Sequence, residues 1–308
     1  MSERPLLAVR GLIVSFPVRE GSFLAINGID LDLREGGSMA IMGESGCGKS
    51  VLGHAILRLL DDVAEVSGRI TFDGLDLDSL DGRALREVLG RDIGLVPQSP
   101  STAFNPVLRV GDQLMELIEK CGKAEGPKAR DLAIASLAQV GFTDPERVFS
   151  TYPHRLSGGM CERALIAMAM SVKPRLMIAD EPTKGLDSPS KDIVIDLLCQ
   201  RKGSLLMITH DFMAATRCQE VAVMYAGEIV EQGKVKDVLF SPRHPYTRGL
   251  IGALPRNGMT PIPGGSFGQD RSSTGCRFRS RCTRADEECT CHPDLSGADG
   301  WRVRCHHA

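Results

Sequence analysis

The sequence predicts an α/β protein with a parallel-sheet core, an antiparallel β section and a helical section. Three observations carry that prediction. The stretch Gly43-Glu44-Ser45-Gly46-Cys47-Gly48-Lys49-Ser50 follows the apolar run Met39-Ala40-Ile41-Met42 and precedes a helical pattern. It fits the phosphate-loop pattern G-x-x-x-x-G-K-[ST] in the strand-to-helix setting where that pattern has mechanical meaning. Residues 175–180 and 204–209 are short apolar runs of the kind buried on both faces in parallel sheets. Residues 6–41 alternate apolar and polar side chains, as antiparallel strands do.

Taken in order, residues 7–10, 12–16 and 25–33 read as strands, with Glu35-Gly36-Gly37 as a turn. In the phosphate loop, Gly43, Gly46 and Gly48 let the backbone fold tightly and aim its N–H groups at an anion. The helix that follows adds its N-terminal dipole. Lys49 is placed to reach β- and γ-phosphates, and Ser50 to hold Mg²⁺. Residues 67–74 read as a strand closed by an Asp-Gly turn, and residues 93–98 as a short buried strand ending in Gln98. Residues 110–171 are helical in pattern, with breakers at 122–126 and 141–153. A helix over 188–200 separates the two apolar strands. Residues 221–231 predict a hairpin turning at Ala226-Gly227.

Composition sets the outer bounds. Lys+Arg 37 against Asp+Glu 39 gives a net charge of -2, which gives no reason to expect nucleic acid as a partner. The longest apolar run, residues 164–170, falls well short of the roughly 18 residues of a membrane span and reads as a buried helix. The opening Met1-Ser2-Glu3-Arg4-Pro5 lacks the layout of a signal peptide, so a cytosolic chain is expected, attached to a membrane only through partners. After Leu254 the composition changes. Residues 256–308 hold eight arginines, no lysine and few large apolar side chains. Such a segment is too poor in apolar residues for a core of its own; it is disordered, docked or stapled by cysteines.

Beyond the phosphate loop, three features carry chemistry. Leu176-Met177-Ile178-Ala179-Asp180-Glu181 is an apolar strand ending in two carboxylates. Asp180 suits the outer coordination sphere of Mg²⁺, and Glu181 the polarisation of an attacking water. Leu156-Ser157-Gly158-Gly159-Met160 opens a helix with a serine hydroxyl and two glycines, a second anion site more than 100 residues from Lys49. His210 closes the strand after the Glu181 strand, where ligands of open α/β sheets collect and where it can contact a γ-phosphate.

Together these residues resemble the nucleotide-binding subunits of ABC transporters. The likeness runs in the family's order through residues 43–50 (Walker A), Gln98 (Q-loop), 156–160 (signature), 176–181 (Walker B and catalytic glutamate), Leu186-Asp187 (D-loop) and His210 (switch histidine). The resemblance implies a P-loop NTPase with a RecA-like parallel core, an antiparallel β subdomain and a helical signature subdomain at about 100–171. It implies two such domains paired head to tail. Each ATP then lies between one chain's Walker A and the other's Ser157, Gly158 and Gly159. Glu181, His210 and Gln98 act in catalysis, with Gln98 and Ser50 near Mg²⁺. An aromatic residue stacks on adenine; Phe16 is the choice here, with Phe23 the alternate.

Phe240-Ser241-Pro242-Arg243-His244-Pro245-Tyr246-Thr247-Arg248-Gly249-Leu250, then Pro261-Ile262-Pro263-Gly264 and Gly275-Cys276-Arg277-Phe278-Arg279-Ser280-Arg281-Cys282, resemble the oligopeptide, dipeptide and nickel importer branch. That branch implies a nucleotide domain over 1–255 and a Cys-rich extension over 256–308. It implies a second, different ATPase chain, two permease subunits, an extracytoplasmic solute-binding protein and a peripheral place on the cytoplasmic face of the inner membrane. There are departures. Cys161-Glu162-Arg163 stands where the branch usually has Arg-Gln-Arg, and Lys184-Gly185 where it has Thr-Ala.

Five of the ten cysteines crowd into the last 33 residues. Cys276, Cys282, Cys289 and Cys305 offer four thiolates, which suit a [4Fe–4S] cluster or a structural Zn²⁺. The gaps are wider than zinc's C-x2-4-C pairs, and the resemblance to the branch, some members of which carry such a cluster, implies [4Fe–4S], with zinc or a tail without metal as the alternatives. Cys291, His292, His306 and His307 are spare ligands, and Cys291 could replace Cys289. Cys47 reads as a small residue filling a tight turn.

Overall fold

The computed structural model describes residues 4–19, 21–98, 103–265, 274–298 and 300–308. The predicted start of the helical section near residue 100 and the opening tripeptide lie outside the described residues. In chain order the strands are β1 (Leu7–Val18), β2 (Gly21–Leu33), β3 (Ser38–Met42), β4 (Glu65–Phe72), β5 (Leu75–Asp76), β6 (Ile93–Val96), β7 (Leu176–Asp180), β8 (Ser204–Ile208), β9 (Glu220–Tyr225), β10 (Glu228–Lys234), β11 (Ser296–Ala298) and β12 (Trp301–Val303). The chain divides into two compact units. One comprises residues 1–34, 38–79 and 208–308; the other comprises 35–37 and 80–207.

In the first unit, β1, β2, β4 and β5 form a four-stranded sheet in the order β2-β1-β4-β5. Residues 7–10 and 12–16 are one strand rather than two. The register against β2 shifts between Val9 and Leu12, and such a bulge bends a strand without ending it. Alternation sends Leu7, Val9, Leu12, Ile29 and Leu31 inward, all at most 1% exposed. A second sheet section runs β11-β12-β10-β9-β3. β3 pairs parallel with β9, Met39 opposite Glu220, and every residue of β3 but the first is buried. That is why residues 39–42 read as a continuous apolar run rather than an alternating one. β9 and β10 form the predicted hairpin, turning through Ala226 (φ 48°) and Gly227 (φ 86°). Positive φ at both corners matches the right-handed twist of the strands.

The arginine-rich tail is docked, one of the three states its composition allowed. β12 pairs antiparallel with β10, Glu231 opposite Val303, and β11 adds to β12. Glu231, fully buried on β10, accepts the backbone N–H groups of Arg243 and His244 at 2.9 and 3.0 Å and the Trp301 indole N–H at 3.0 Å. The tail therefore uses the apolar and polar surface of β9 and β10 in place of a core of its own.

In the second unit the strand order is β8-β7-β6, with β6 parallel to β7. Every residue of β7 and β8 is buried. The strand predicted over 93–98 ends at Val96, where Pro97 has no N–H to give the ladder. The helices Val110–Lys120, Pro127–Gln139, Pro145–Phe149 and Gly158–Ser171 fill the predicted helical stretch. Two of them, Pro127–Gln139 and Pro145–Phe149, start on a proline, whose fixed φ suits a first helical position. The helix predicted over 188–200 is present as Ser188–Gln200.

Candidate nucleotide site

The phosphate loop lies in the first unit between β3 and the helix Lys49–Ile56. A Cβ on Gly43 would stand 2.2 Å from the Met224 carbonyl oxygen, so β9 itself demands glycine there. The loop is braced from the β9–β10 turn, where Gly227 N–H donates to the Cys47 carbonyl at 2.9 Å. Cys47 is fully buried, as a space-filling residue should be. Lys49, 7% exposed, donates from Nζ to the carbonyls of Gly43 at 2.7 Å and Glu44 at 3.0 Å. Its ammonium is thereby held over the loop, where a β/γ-phosphate pair would need it. Ser50 is the second residue of the helix and half-buried.

Two contacts to this loop were not foreseen from the sequence. Glu44 N–H donates to the Tyr246 hydroxyl at 2.9 Å, and the Glu44 carboxylate takes two hydrogen bonds from Arg281. Tyr246 is placed by its own helix, Pro245–Gly252, whose cap is His244: the ring Nδ1 accepts from Tyr246 N–H at 3.0 Å. Burial pushes His244 down to about 3, so it stays neutral and able to accept. Tyr246 belonged to a segment that marked the branch; Arg281 lies 237 residues from Glu44, beyond any local pattern.

His210, also in this unit, is exposed and lies two residues beyond β8. Asp211 caps the next short helix, accepting from Met213 N–H at 2.8 Å. Phe16 is half-buried on β1, and its cross-strand partner is the more exposed Phe23 on β2.

The second unit holds the carboxylates and the glycine-rich helix start. Asp180 ends β7 and Glu181 follows it, 4% and 6% exposed. Glu181 takes φ 51°, a left-handed backbone that few non-glycine residues adopt outside constrained sites. Gln98 is exposed just beyond β6. Ser157 is the predicted cap: its hydroxyl accepts from Met160 N–H at 3.3 Å. A Cβ on Gly158 would meet nothing within 4 Å, whereas one on Gly159 would touch Leu186 at 3.1 Å. Glu162, one helical turn on, is 3% exposed, and burial pushes its carboxyl up to about 8. Sequence singled it out as a departure; only the structure shows it buried.

In the tail, Cys276, Cys282 and Cys305 are half-buried, Cys289 is buried and Cys291 is exposed. Burial first, then the charges of Cys289, Cys305 and Cys282, push the Cys276 thiol up to about 11, against a backbone hydrogen bond at Phe278 that lowers it. A metal bound by these thiols would have to displace their protons. Backbone N–H groups of Arg284 and His307 point at the sulfurs of Cys282 and Cys305, each at 3.4 Å. At Gly275 a Cβ would lie 2.6 Å from the carbonyl oxygens of both Cys289 and Thr290, so the two backbone segments pack too closely there for a side chain. By their chemistry, four thiols on one short segment suit a thiolate-held group. Among the described residues, the set whose ligand atoms lie within 4.8 Å of one another is Asp286, Cys289 and His307, rather than the four thiols.

Fold and loop define a phosphate-binding α/β cassette. Comparison with known proteins gives the particular group. Residues 26–184 match the ABC transporter family model, and residues 230–289 match that of the oligopeptide/dipeptide transporter C-terminal region. A dipeptide transport ATP-binding protein of Bacillus subtilis is 42% identical over 90% of this chain and 86% of its own. An oligopeptide transport ATP-binding protein of Salmonella typhimurium is 37% identical over 97% and 92%. Among solved structures, a dimeric ATP-binding cassette in a post-hydrolysis state bound to ADP and Pi matches with TM-score 0.68 and 25% identity, over 74% of this chain and 98% of that one. The chain belongs to the ABC transporter family of ATP-binding subunits, ATPases coupled to transport.

Proposed function

We propose that this chain is the ATPase subunit of an importer for dipeptides or oligopeptides. The observation that carries this reading is likeness along nearly the whole chain to transport proteins named for those solutes, joined to the match at residues 230–289. None of those names favours nickel. Nor do they favour an ATPase acting without a permease.

In this reading residues 43–50 bind the triphosphate, with Lys49 on its β/γ oxygens and Ser50 and Gln98 at Mg²⁺. Asp180 orients the metal's water, Glu181 polarises the attacking water and His210 contacts the γ-phosphate. Ser157, Gly158 and Gly159 meet the nucleotide of a partner ATPase. That arrangement is supported by the dimeric cassette among the structural relatives. Phe16 stacks on adenine. Among the described residues no helix is long and apolar enough to cross a membrane. In keeping with the transport relatives, attachment to the cytoplasmic face of the inner membrane runs through two permease subunits, which receive solute from an extracytoplasmic binding protein.

Cys276, Cys282, Cys289 and Cys305 would hold a [4Fe–4S] cluster, which would serve as a covalent staple for a segment without a core. A single zinc ion would need sulfurs about 3.8 Å apart, as Zn–S bonds of about 2.3 Å dictate. Two measurements test the proposal. Deleting this chain should abolish uptake of a labelled dipeptide by the host, restored by the wild-type chain; unchanged uptake would refute the cargo. Anaerobically purified protein should carry about four iron and four sulfide per chain; stoichiometric zinc would refute the cluster.

A further inference from the structure

Arg281 stands in the loop between Cys276 and Cys282, yet its guanidinium ends on the phosphate loop. Nη1 donates to Glu44 Oε2 at 2.9 Å and Nη2 to Oε1 at 3.3 Å. A fork-to-fork pairing of this kind fixes the carboxylate's plane as well as its distance. The Arg281 side chain is only 5% exposed. Its Nε donates to the Pro263 carbonyl at 2.8 Å, and its guanidinium carbon lies 5.7 Å from the Tyr225 ring centre. The cation is therefore anchored on the side away from Glu44 and is not free to follow it.

Glu44 is held a second time through its main chain, by the N–H donated to the buried Tyr246 hydroxyl. What Glu44 does then matters to the loop. Its carbonyl and that of Gly43 hold Lys49 Nζ, and its carbonyl also accepts Cys47 N–H at 3.3 Å. A carboxylate on a loop that receives a triphosphate is also an electrostatic liability. Arg281 offsets it.

We propose that Arg281 and Tyr246 are positioning residues for the phosphate loop, fixing Glu44 by side chain and by main chain and masking its charge from the bound triphosphate. A loop ordered before binding spares the ligand the entropy of ordering it. This rests on the phosphate loop binding ATP, and a wild-type chain that bound no MgATP would sink that reading before this one was tried.

The test is equilibrium binding of MgATP to the full-length chain, with steady-state hydrolysis by the assembled transporter. Arg281→Ala should weaken binding about tenfold, the usual worth of a charge-assisted bidentate pair. It should raise KM by more than it lowers kcat. Arg281→Lys should recover part of the loss, and Arg279→Ala, an exposed cation of the same turn, should lose nothing. Removing the stranded carboxylate in Arg281→Ala/Glu44→Ala should restore some affinity. Wild-type affinity in Arg281→Ala would overturn the proposal, as would a double variant whose loss is the product of the single losses. Should Arg281→Ala fail to fold, Tyr246→Phe decides: it removes only the hydroxyl, severalfold weaker binding is expected, and wild-type affinity would overturn the proposal.

Discussion

Arg277 and Glu228 form an ion pair of 2.9 Å in which neither side chain is more than 5% exposed. Glu228 sits at the start of β10 and also accepts from Asn27 Nδ2 at 2.6 Å and meets His292 Nε2 at 3.0 Å. Arg277 sends Nη1 to the Ala226 carbonyl at 2.5 Å. The pair thus ties the tail to the hairpin that braces the phosphate loop. Glu228→Ala should destabilise the chain by about 3–5 kcal/mol, since it leaves buried Arg277 without its counter-charge. Arg277→Met should cost less, because Asn27 and His292 still partner Glu228. Thermal unfolding of the two variants measures the order, and an equal or reversed order would refute this account of the docking.

Glu162 makes stability depend on pH. Its carboxyl is pushed up to about 8 by burial, from an ordinary value of 4.5. A raised folded-state value means that stability is fully present below about pH 4.5 and is lost as pH rises through about 8. The loss is on the order of a few kcal/mol. Glu162→Gln keeps the shape and removes the ionisation. Its melting temperature should therefore exceed that of the wild type at pH 8 and match it more closely at pH 5. The same difference at both pH values would show that Glu162 is not kept neutral by burial.

The glycine-rich loop, the apolar strands and the Asp-Glu pair were legible because each is a local pattern with a local cause. Residues 39–42 and 176–179 are apolar throughout because both faces of β3 and β7 are covered. Ser157 announced its helix because a cap acts on the very next turn. The tail was legible only in its poverty of apolar residues. Its docking depends on Glu228 and Glu231, which as single acidic letters in a strand look like solvated positions. Arg281 was invisible as a partner of Glu44 because nothing among the eight arginines of residues 256–308 says which one is buried. Burial of Glu162 was likewise hidden, since helical spacing alone allows a charged residue at the edge of an apolar face.

Gly43 and Gly158 should respond oppositely to alanine. Gly43→Ala drives a methyl into the Met224 carbonyl and the Cys47 sulfur, 2.2 and 2.8 Å away. It should lower both stability and MgATP affinity. Gly158→Ala meets open space at a helix start. Stability should hold or rise by up to about 1 kcal/mol, since alanine is the better helix former. Because packing within the chain does not call for glycine at 158, its loss should appear only in hydrolysis by the assembled ATPase, where an approaching nucleotide would meet the methyl. A Gly158→Ala transporter with normal turnover would remove Gly158 from the proposed site.

Glu181 combines a nearly buried carboxylate with a backbone at φ 51°. Left-handed backbone at a non-glycine residue costs on the order of 1 kcal/mol, so the fold holds this side chain in place against a local preference. Two substitutions separate the carboxylate's chemistry from that strain. Glu181→Gln keeps the backbone and the size of the side chain while removing its basicity; MgATP binding should persist while turnover of the assembled complex falls by about 100-fold or more. Glu181→Gly relieves the backbone and deletes the side chain; it should be at least as resistant to unfolding as the wild type and equally inactive. Unchanged turnover in Glu181→Gln would remove the carboxylate from catalysis. A destabilised Glu181→Gly would show that the side chain contributes more to packing than its backbone costs, and the left-handed conformation would then reflect packing rather than the demands of catalysis.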